Sequence, residues 1–317
     1  MRGIFKNLQN SPTNSKYKHH YTCDYIEILA LANNDLLSKS DIINRLYYSK
    51  SDQGEPEIED DKYDSDILEL FAILEVRSST FKEFYPFEIK TDTILSSIEL
   101  KNELTDLQKK YLFLLLSSSL SYISQKEVVD KDNTLENDFE LFSYQTLKNY
   151  ISEDINIYQF GQATYSGTLK EKVDKLAKDL NFRTIYKKHY FNDNNRGDGG
   201  IDLVAWKLFP NDENNLNIAL YLAQCATGKD WIKKQDDVDK FKNYIHFESC
   251  ITNLFFIPYD GRDENRNFIE EKDINISKYI LFDRIRILNT IDIDYNINKL
   301  KSYKLIESAI EYKEGIV

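Results

Sequence analysis

Hydrophobic and polar positions along this chain follow two different rhythms. Up to about residue 150 the apolar residues recur at helical spacing between polar stretches. Beyond it they gather into short, near-continuous runs of strand length. In the first part, "CDYIEILALANN" and "SKSDIINRLYYSK" predict two short helices, with Ser38 or Ser40 capping the second. Helices are expected at about 66–76 and 105–124, an extended connector or short strand at "FYPFEIK", and a further helix at "FELFSYQTLKNYIS". The acidic stretches 51–66 and 126–139 are expected as solvated loops. Residues 1–20 form a polar lead-in, in which His19 and His20 are expected at the surface.

In the second part, Leu169, Val173, Leu176 and Leu180 fall at spacings of four, three and four, which makes one apolar helix face. "FRTIYKKHYF", "GGIDLVAWKLF" and "NIALYLAQCA" follow as three strand candidates. "PNDENN" (Pro210–Asn215) turns between the last two. A helix is expected at "KKQDDVDKFKNYIHF", a strand at "ITNLFFIPYD", a short strand or helix start at "KYILFDRIRILNTI", and a helix at "KLKSYKLIESAIEY". The pattern predicts a mainly helical domain over residues 1–150 and an α/β domain over 151–317.

A length of 317 residues suits two domains. An apolar fraction of 41%, with 22 Tyr and 18 Phe, supplies a core and excludes global disorder. Net charge is −12, which counts against a purely electrostatic nucleic-acid binder. Charge is uneven, however: residues 169–190 hold seven Lys/Arg against three Asp/Glu. The three cysteines are far apart and form no C-x-x-C pair, so neither a disulfide framework nor a structural zinc site is expected. No apolar signal core opens the chain, and "YLFLLLSSSLSYI" is too short and too rich in Ser to span a bilayer. A cytoplasmic protein without a membrane partner is expected.

The candidate chemistry lies in "RGDGGIDLVAW" (Arg196–Trp206) and "YLAQCATGKDW" (Tyr221–Trp231). Asp202 interrupts an apolar strand, where an unpartnered carboxylate is costly. Gln224 interrupts the next one. If the two strands pair across the turn, the register centres on residue 213 and sets Asp202 opposite Gln224. A carboxylate and an amide carbonyl are hard oxygen donors suited to Mg²⁺. Taken singly, each residue has a plainer explanation. Asp198 fits a turn, Gln224 a hydrogen-bonded core amide, Glu171 a helix-surface acid favoured near the N-terminus, and Lys229 a surface lysine. Cys225 is expected to point away from Gln224 into the core, and His189 and His246 to be structural or surface residues.

"GDGGIDLVAW", then a hairpin, then "AQCATGKDW" resembles the PD-(D/E)XK nuclease superfamily, most nearly its Mrr-like restriction-endonuclease branch. The resemblance covers about residues 165–260. It implies a restriction-endonuclease-like α-β-β-β-α-β core. It also implies a metal site of Asp202 and Gln224, joined by a helix glutamate that Glu171 matches by position. The family pattern places a lysine where this chain has Ala226; Lys229, or Lys233 or Lys234 from the following helix, would have to supply the ammonium.

The function implied is a metal-dependent endonuclease of restriction or anti-phage defence, using Mg²⁺ or Mn²⁺ on DNA. Asp202, Gln224 and Glu171 would hold the metal and Lys229 would serve as the catalytic ammonium. Arg183, Lys187, Lys188 and Arg196 would meet the phosphate backbone. Other subunits of a multi-gene defence system are implied partners, and an oligomer remains open. The absent lysine at 226 motivates an alternative: an inactive nuclease-like fold serving as a binding subunit. A third possibility is a helical interaction protein with the α/β half as its platform.

Overall fold

The computed structural model describes residues 3–12, 18–33, 35–48, 60–91, 96–132, 134–151, 155–160, 167–186, 197–211, 216–263, 265–268 and 278–312. The chain forms two compact units. One gathers Met1–Asp138, Tyr259–Ile269 and Tyr295–Val317; the other gathers Phe139–Pro258 and Glu270–Asp294. The sequence pattern marks one division near residue 150, whereas the chain passes between the units at 138–139, 258–259, 269–270 and 294–295.

The first unit is built around helix α1 (Lys18–Ala32), which packs against helices α3 (Asp60–Phe81), α4 (Asp106–Ser118) and α9 (Tyr303–Glu311). Cys23, Tyr25, Ile26, Ile28, Leu29 and Leu31 are all buried, so α1 is covered on every side rather than along one stripe. The short helix α2 (Lys39–Ile43) starts at Ser38, whose side chain accepts from the Asp41 amide in a capping box with Asp41. Thr105 caps α4 in the same way with Gln108. Strands β1 (Leu37–Ser38), β2 (Phe87–Lys90) and β3 (Ser97–Leu100) make a small antiparallel sheet in the order β1-β3-β2.

Two expectations change here. The helix expected at 66–76 runs over Asp60–Phe81 and takes in the end of the acidic stretch. His19 and His20 belong to α1 rather than to a surface lead-in. His19 pairs with Glu69 at 2.9 Å, and His20 is buried. The covering elements come from distant sequence, so they enclose a segment that reads locally as polar. Beside His20 lies a buried charge network. Arg77 meets Asp24 (2.8 Å), Glu27 (3.1 Å) and Asp260 (3.1 Å), while Tyr85 and Tyr111 donate to Glu27 and Ser118 donates to Asp24.

The second unit holds a mixed five-stranded sheet in the order β10-β9-β7-β6-β4. Its strands are β4 (Asn156–Gln159), β6 (Leu203–Lys207), β7 (Ala219–Cys225), β9 (Ile251–Phe256) and β10 (Ile280–Phe282). The β4–β6 and β6–β7 pairs are antiparallel; β7–β9 and β9–β10 are parallel. The fold is thus mixed α/β. Helix α6 (Leu169–Asp179) uses its apolar face as the sequence predicts: Leu169, Val173, Leu176 and Leu180 pack with Val204, Trp206, Leu220 and Leu222 of the sheet. Val238 and Phe241 of the short helix α7 (Asp237–Phe241) join the same core. Helices α5 (Leu135–Ile151) and α8 (Arg284–Thr290) complete the elements of the second half.

"FRTIYKKHYF" does not enter this sheet. Its described part gives only β5 (Arg183–Thr184), paired with β8 (Ile245–His246) in a separate two-stranded ribbon. The sheet's outer antiparallel strand is β4 instead. It pairs on one side alone and is half-exposed, so it carries no long apolar run.

Candidate functional site

The β6–β7 hairpin has the expected register. Leu203 lies opposite Ala223 and Lys207 opposite Ala219, which centres the pairing on residue 213. The ladder continues one step beyond β6. The Asp202 amide donates to the Ala223 carbonyl (2.8 Å), and the Asp202 carbonyl accepts from the Phe160 amide (2.7 Å). Asp202 and Gln224 therefore meet at one end of the sheet. The Gln224 amide nitrogen donates to Asp202 Oδ2 at 2.8 Å, and the Cys225 backbone amide donates to the same oxygen at 2.6 Å. Asp202 is 3% exposed and Gln224 5%. Gln224 Oε1 is buried and accepts no hydrogen bond. A buried acceptor left unmet is costly, so this oxygen is suited to a cation.

The turn before Asp202 requires its glycines. Gly199 and Gly200 have φ of +70° and +97°. A Cβ on Gly199 would lie 2.9 Å from Leu169, and one on Gly200 would lie 2.6 Å from the Asp237 carbonyl oxygen. Asp198 Oδ1 accepts from the Gly200 amide at 2.8 Å, the turn role its sequence context predicts. α6 and α7 can thus press directly on the turn that aims Asp202.

Further charged groups converge here. Burial, and next the negative charges of Glu140 and Asp198, push the Asp202 carboxyl well above the usual carboxylate range; the Cys225 amide and Lys234 pull the other way. Burial and Asp198 push Glu140, on α5, up to about 7, against Lys234 and Lys172. Lys172, on α6, is 3% exposed and donates to the Gly197 carbonyl at 3.3 Å. Burial holds its ammonium below the usual range, opposed by Asp198 and Glu140. The Cys225 thiol is raised by burial and by Asp202 and Glu140, while the Ser143 hydroxyl opposes that shift. Cys225 thus adjoins the polar site rather than entering the apolar core.

Of the other site candidates, Glu171 is not brought to Asp202. It is the N3 residue of the α6 capping box: its Oε2 accepts from the Thr168 amide (2.7 Å) and hydroxyl (3.0 Å), and that bonding lowers its pKa. Successive helix residues point about 100° apart, so the cap sends residue 171 outward while residue 172 faces the turn. The helix acid near Asp202 is Glu140. Its signal was available, since "FELF" sets an acid inside an apolar run just as "IDLV" does. Lys229 is exposed in the turn after β7, and the lysine whose charge acts on Asp202 is Lys234. Ala226 is buried and continues the pairing with β9 through its amide to the Phe256 carbonyl. Arg183 is exposed on β5; Lys187, Lys188, His189 and Arg196 lie outside the described residues.

Among the described residues no three His, Cys, Asp or Glu side chains are gathered so as to hold a metal ion. Mg²⁺ does not need such a cage, because it binds through one or two carboxylates, water and substrate phosphate. The Asp202 carboxylate and the unmet Gln224 oxygen, with Glu140 near, fit that requirement by donor type. Among the described residues no helix is long and apolar enough to cross a membrane. In comparison with known proteins, the chain matches no family model, and no curated protein or solved structure is detectably similar to it.

Proposed function

We propose that the second unit is a PD-(D/E)XK-like nuclease domain acting by metal-assisted hydrolysis of DNA phosphodiesters, in a restriction or anti-phage role. The observation that carries this is the pairing of buried Asp202 with Gln224 at one sheet end, where Gln224 Oε1 has nothing to accept. The order of elements supports it as well. This reading takes helix α5, strands β4, β6 and β7 in antiparallel succession, helix α7, and β9 parallel to β7 as its α-β-β-β-α-β core, with α6 inserted between the first two strands.

In this reading Asp202, Gln224 and Glu140 hold the ion, Mg²⁺ or Mn²⁺. When bound, a divalent ion polarises a phosphate and lowers the pKa of bound water. Lys234 takes the place of the lysine absent at 226 and offsets charge developing on the phosphate. Lys172 fixes the glycine turn through the Gly197 carbonyl and so positions Asp202. DNA is the partner, met in part by Arg183.

The test is cleavage of plasmid and phage DNA with Mg²⁺ or Mn²⁺ by the full chain and by Asp202→Ala. Metal-dependent cleavage lost in the variant supports the proposal. Equal background in both overturns autonomous nuclease activity and favours the second reading, an inactive nuclease-like binding subunit, to which buried Ala226 already points.

A further inference from the structure

An open concavity lies in the same unit, beyond the C-terminal end of α7. It has a volume of about 370 Å³ and is lined by Ile185, Lys242, Ile245, His246, Phe247, Ser249 and Ile251. That volume is in the range of small-ligand sites. Its polar lining groups are Lys242, His246 and Ser249. Arg183 lies directly opposite His246 in the β5–β8 ribbon, so the two side chains share a face, and Ile185 follows Arg183 on that face two residues later. Lys242, the residue that follows α7 as its C-cap, adds an ammonium that it shares with Asp239 at 2.7 Å. The rest of the lining is apolar: Ile185, Ile245, Phe247 and Ile251. Phe247 is partly exposed, and its ring is braced edge-on by Phe182 at 6.1 Å and at a tilt by Phe241 at 6.5 Å. A cationic rim beside an aromatic and aliphatic wall suits a ligand with one planar face and one anionic group.

The place of this pocket in the fold narrows the ligand further. The first residue of α7, Asp237, presses on Gly200, and its last, Phe241, presses on Gly199. The pocket begins at the next residue, Lys242. Ile251 of the pocket lies opposite Leu220, four residues along β7 from Gln224, so at about 3.3 Å per residue the pocket sits about 13 Å from the candidate site. A nucleic-acid strand rises about 3.4 Å per nucleotide, so about four nucleotide steps span that distance.

We infer that this pocket binds one nucleoside monophosphate unit, with its base against Phe247 and Ile185 and its phosphate toward His246, Arg183 and Lys242. Its role as the seat of a nucleotide about four steps along the strand from the scissile phosphate rests on the nuclease reading; the binding itself does not. The test is titration of the full chain with thymidine 5′-monophosphate, followed through the His246 imidazole resonances, which are assigned by their loss in His246→Asn. Thymidine and inorganic phosphate are titrated separately.

The expected result is a saturable shift with a dissociation constant at or below about 1 mM. Arg183→Gln or Phe247→Leu should weaken it about tenfold, the scale of one charge-assisted hydrogen bond or one stacking contact. Thymidine or phosphate alone should bind more weakly than the monophosphate. No saturable shift, a shift reproduced in full by phosphate alone, or affinity unchanged in both variants would overturn the inference. Cleavage that depends on Asp202 alongside a silent pocket would remove the pocket and leave the nuclease; the opposite pair of results would do the reverse.

Discussion

Gly200→Ala is the sharpest test of how the turn before Asp202 is built. The residue has φ of +97°, where an L side chain costs about 1–2 kcal/mol. The added methyl would also lie 2.6 Å from the Asp237 carbonyl oxygen and 2.9 Å from its carbon. Both are backbone atoms, so α7 itself must shift, an overpacking cost of about 1–3 kcal/mol. The total is roughly 2–5 kcal/mol. In a unit of this size that lowers the melting temperature by at least about 5 °C. The assay is thermal unfolding followed by tryptophan fluorescence. It is selective because both tryptophans of the chain, Trp206 and Trp231, belong to the second unit. Gly228→Ala is the control, since a Cβ there meets nothing within 4 Å. If Gly200→Ala melts with Gly228→Ala, within about 1 °C, the packing of α7 on the turn is wrong.

Three further outcomes follow from the same geometry. Arg77→Met should destabilise the first unit by about 3–5 kcal/mol, because it leaves Asp24, Glu27 and Asp260 buried without their cation; hydrogen exchange of α1 and α3 peptides reads this, and unchanged protection would contradict it. Burial, and next the Arg77 charge, lower His20 from 6.5 to about 4, so between these values the unfolded chain binds a proton that the folded unit does not. The first unit should therefore lose protection as pH falls from 6.5 towards 4; His20→Leu should flatten that loss, and an unchanged pH profile would refute the assignment. Glu171→Ala should loosen the start of α6 without altering metal-dependent cleavage, whereas Glu140→Gln should reduce cleavage; the reverse pattern would return the helix acid to residue 171.

The hairpin was legible in the sequence because its signals are local. Two apolar runs flank "PNDENN", and side chains alternate with a period of two, so one register brings the two polar intruders together. α6 was legible for the same reason, through its spaced leucines and valine. Glu140 has apolar neighbours like those of Asp202, but the family resemblance implies the helix acid by position and so points to Glu171 on the helix before the glycine turn. That Glu171 turns outward and Lys172 inward follows from the cap geometry of α6, which the apolar spacing of the helix does not record. β4 was missed because a four-residue outer strand makes too little apolar demand on its sequence. The burial of His20, and the return of 259–269 and 295–317 to the first unit, depend on contacts between distant segments that no local pattern records.

The most direct measurement is Mn²⁺ binding to the full chain, read by the loss of the free-ion electron paramagnetic resonance signal at pH 6 and at pH 8. The Asp202 carboxyl lies well above its usual range and Glu140 at about 7, so the ion must displace protons. The account predicts saturable binding that tightens from the lower pH to the higher, weakens in Glu140→Gln and is lost in Asp202→Asn. No saturable binding at either pH, or equal binding in Asp202→Asn, would contradict it.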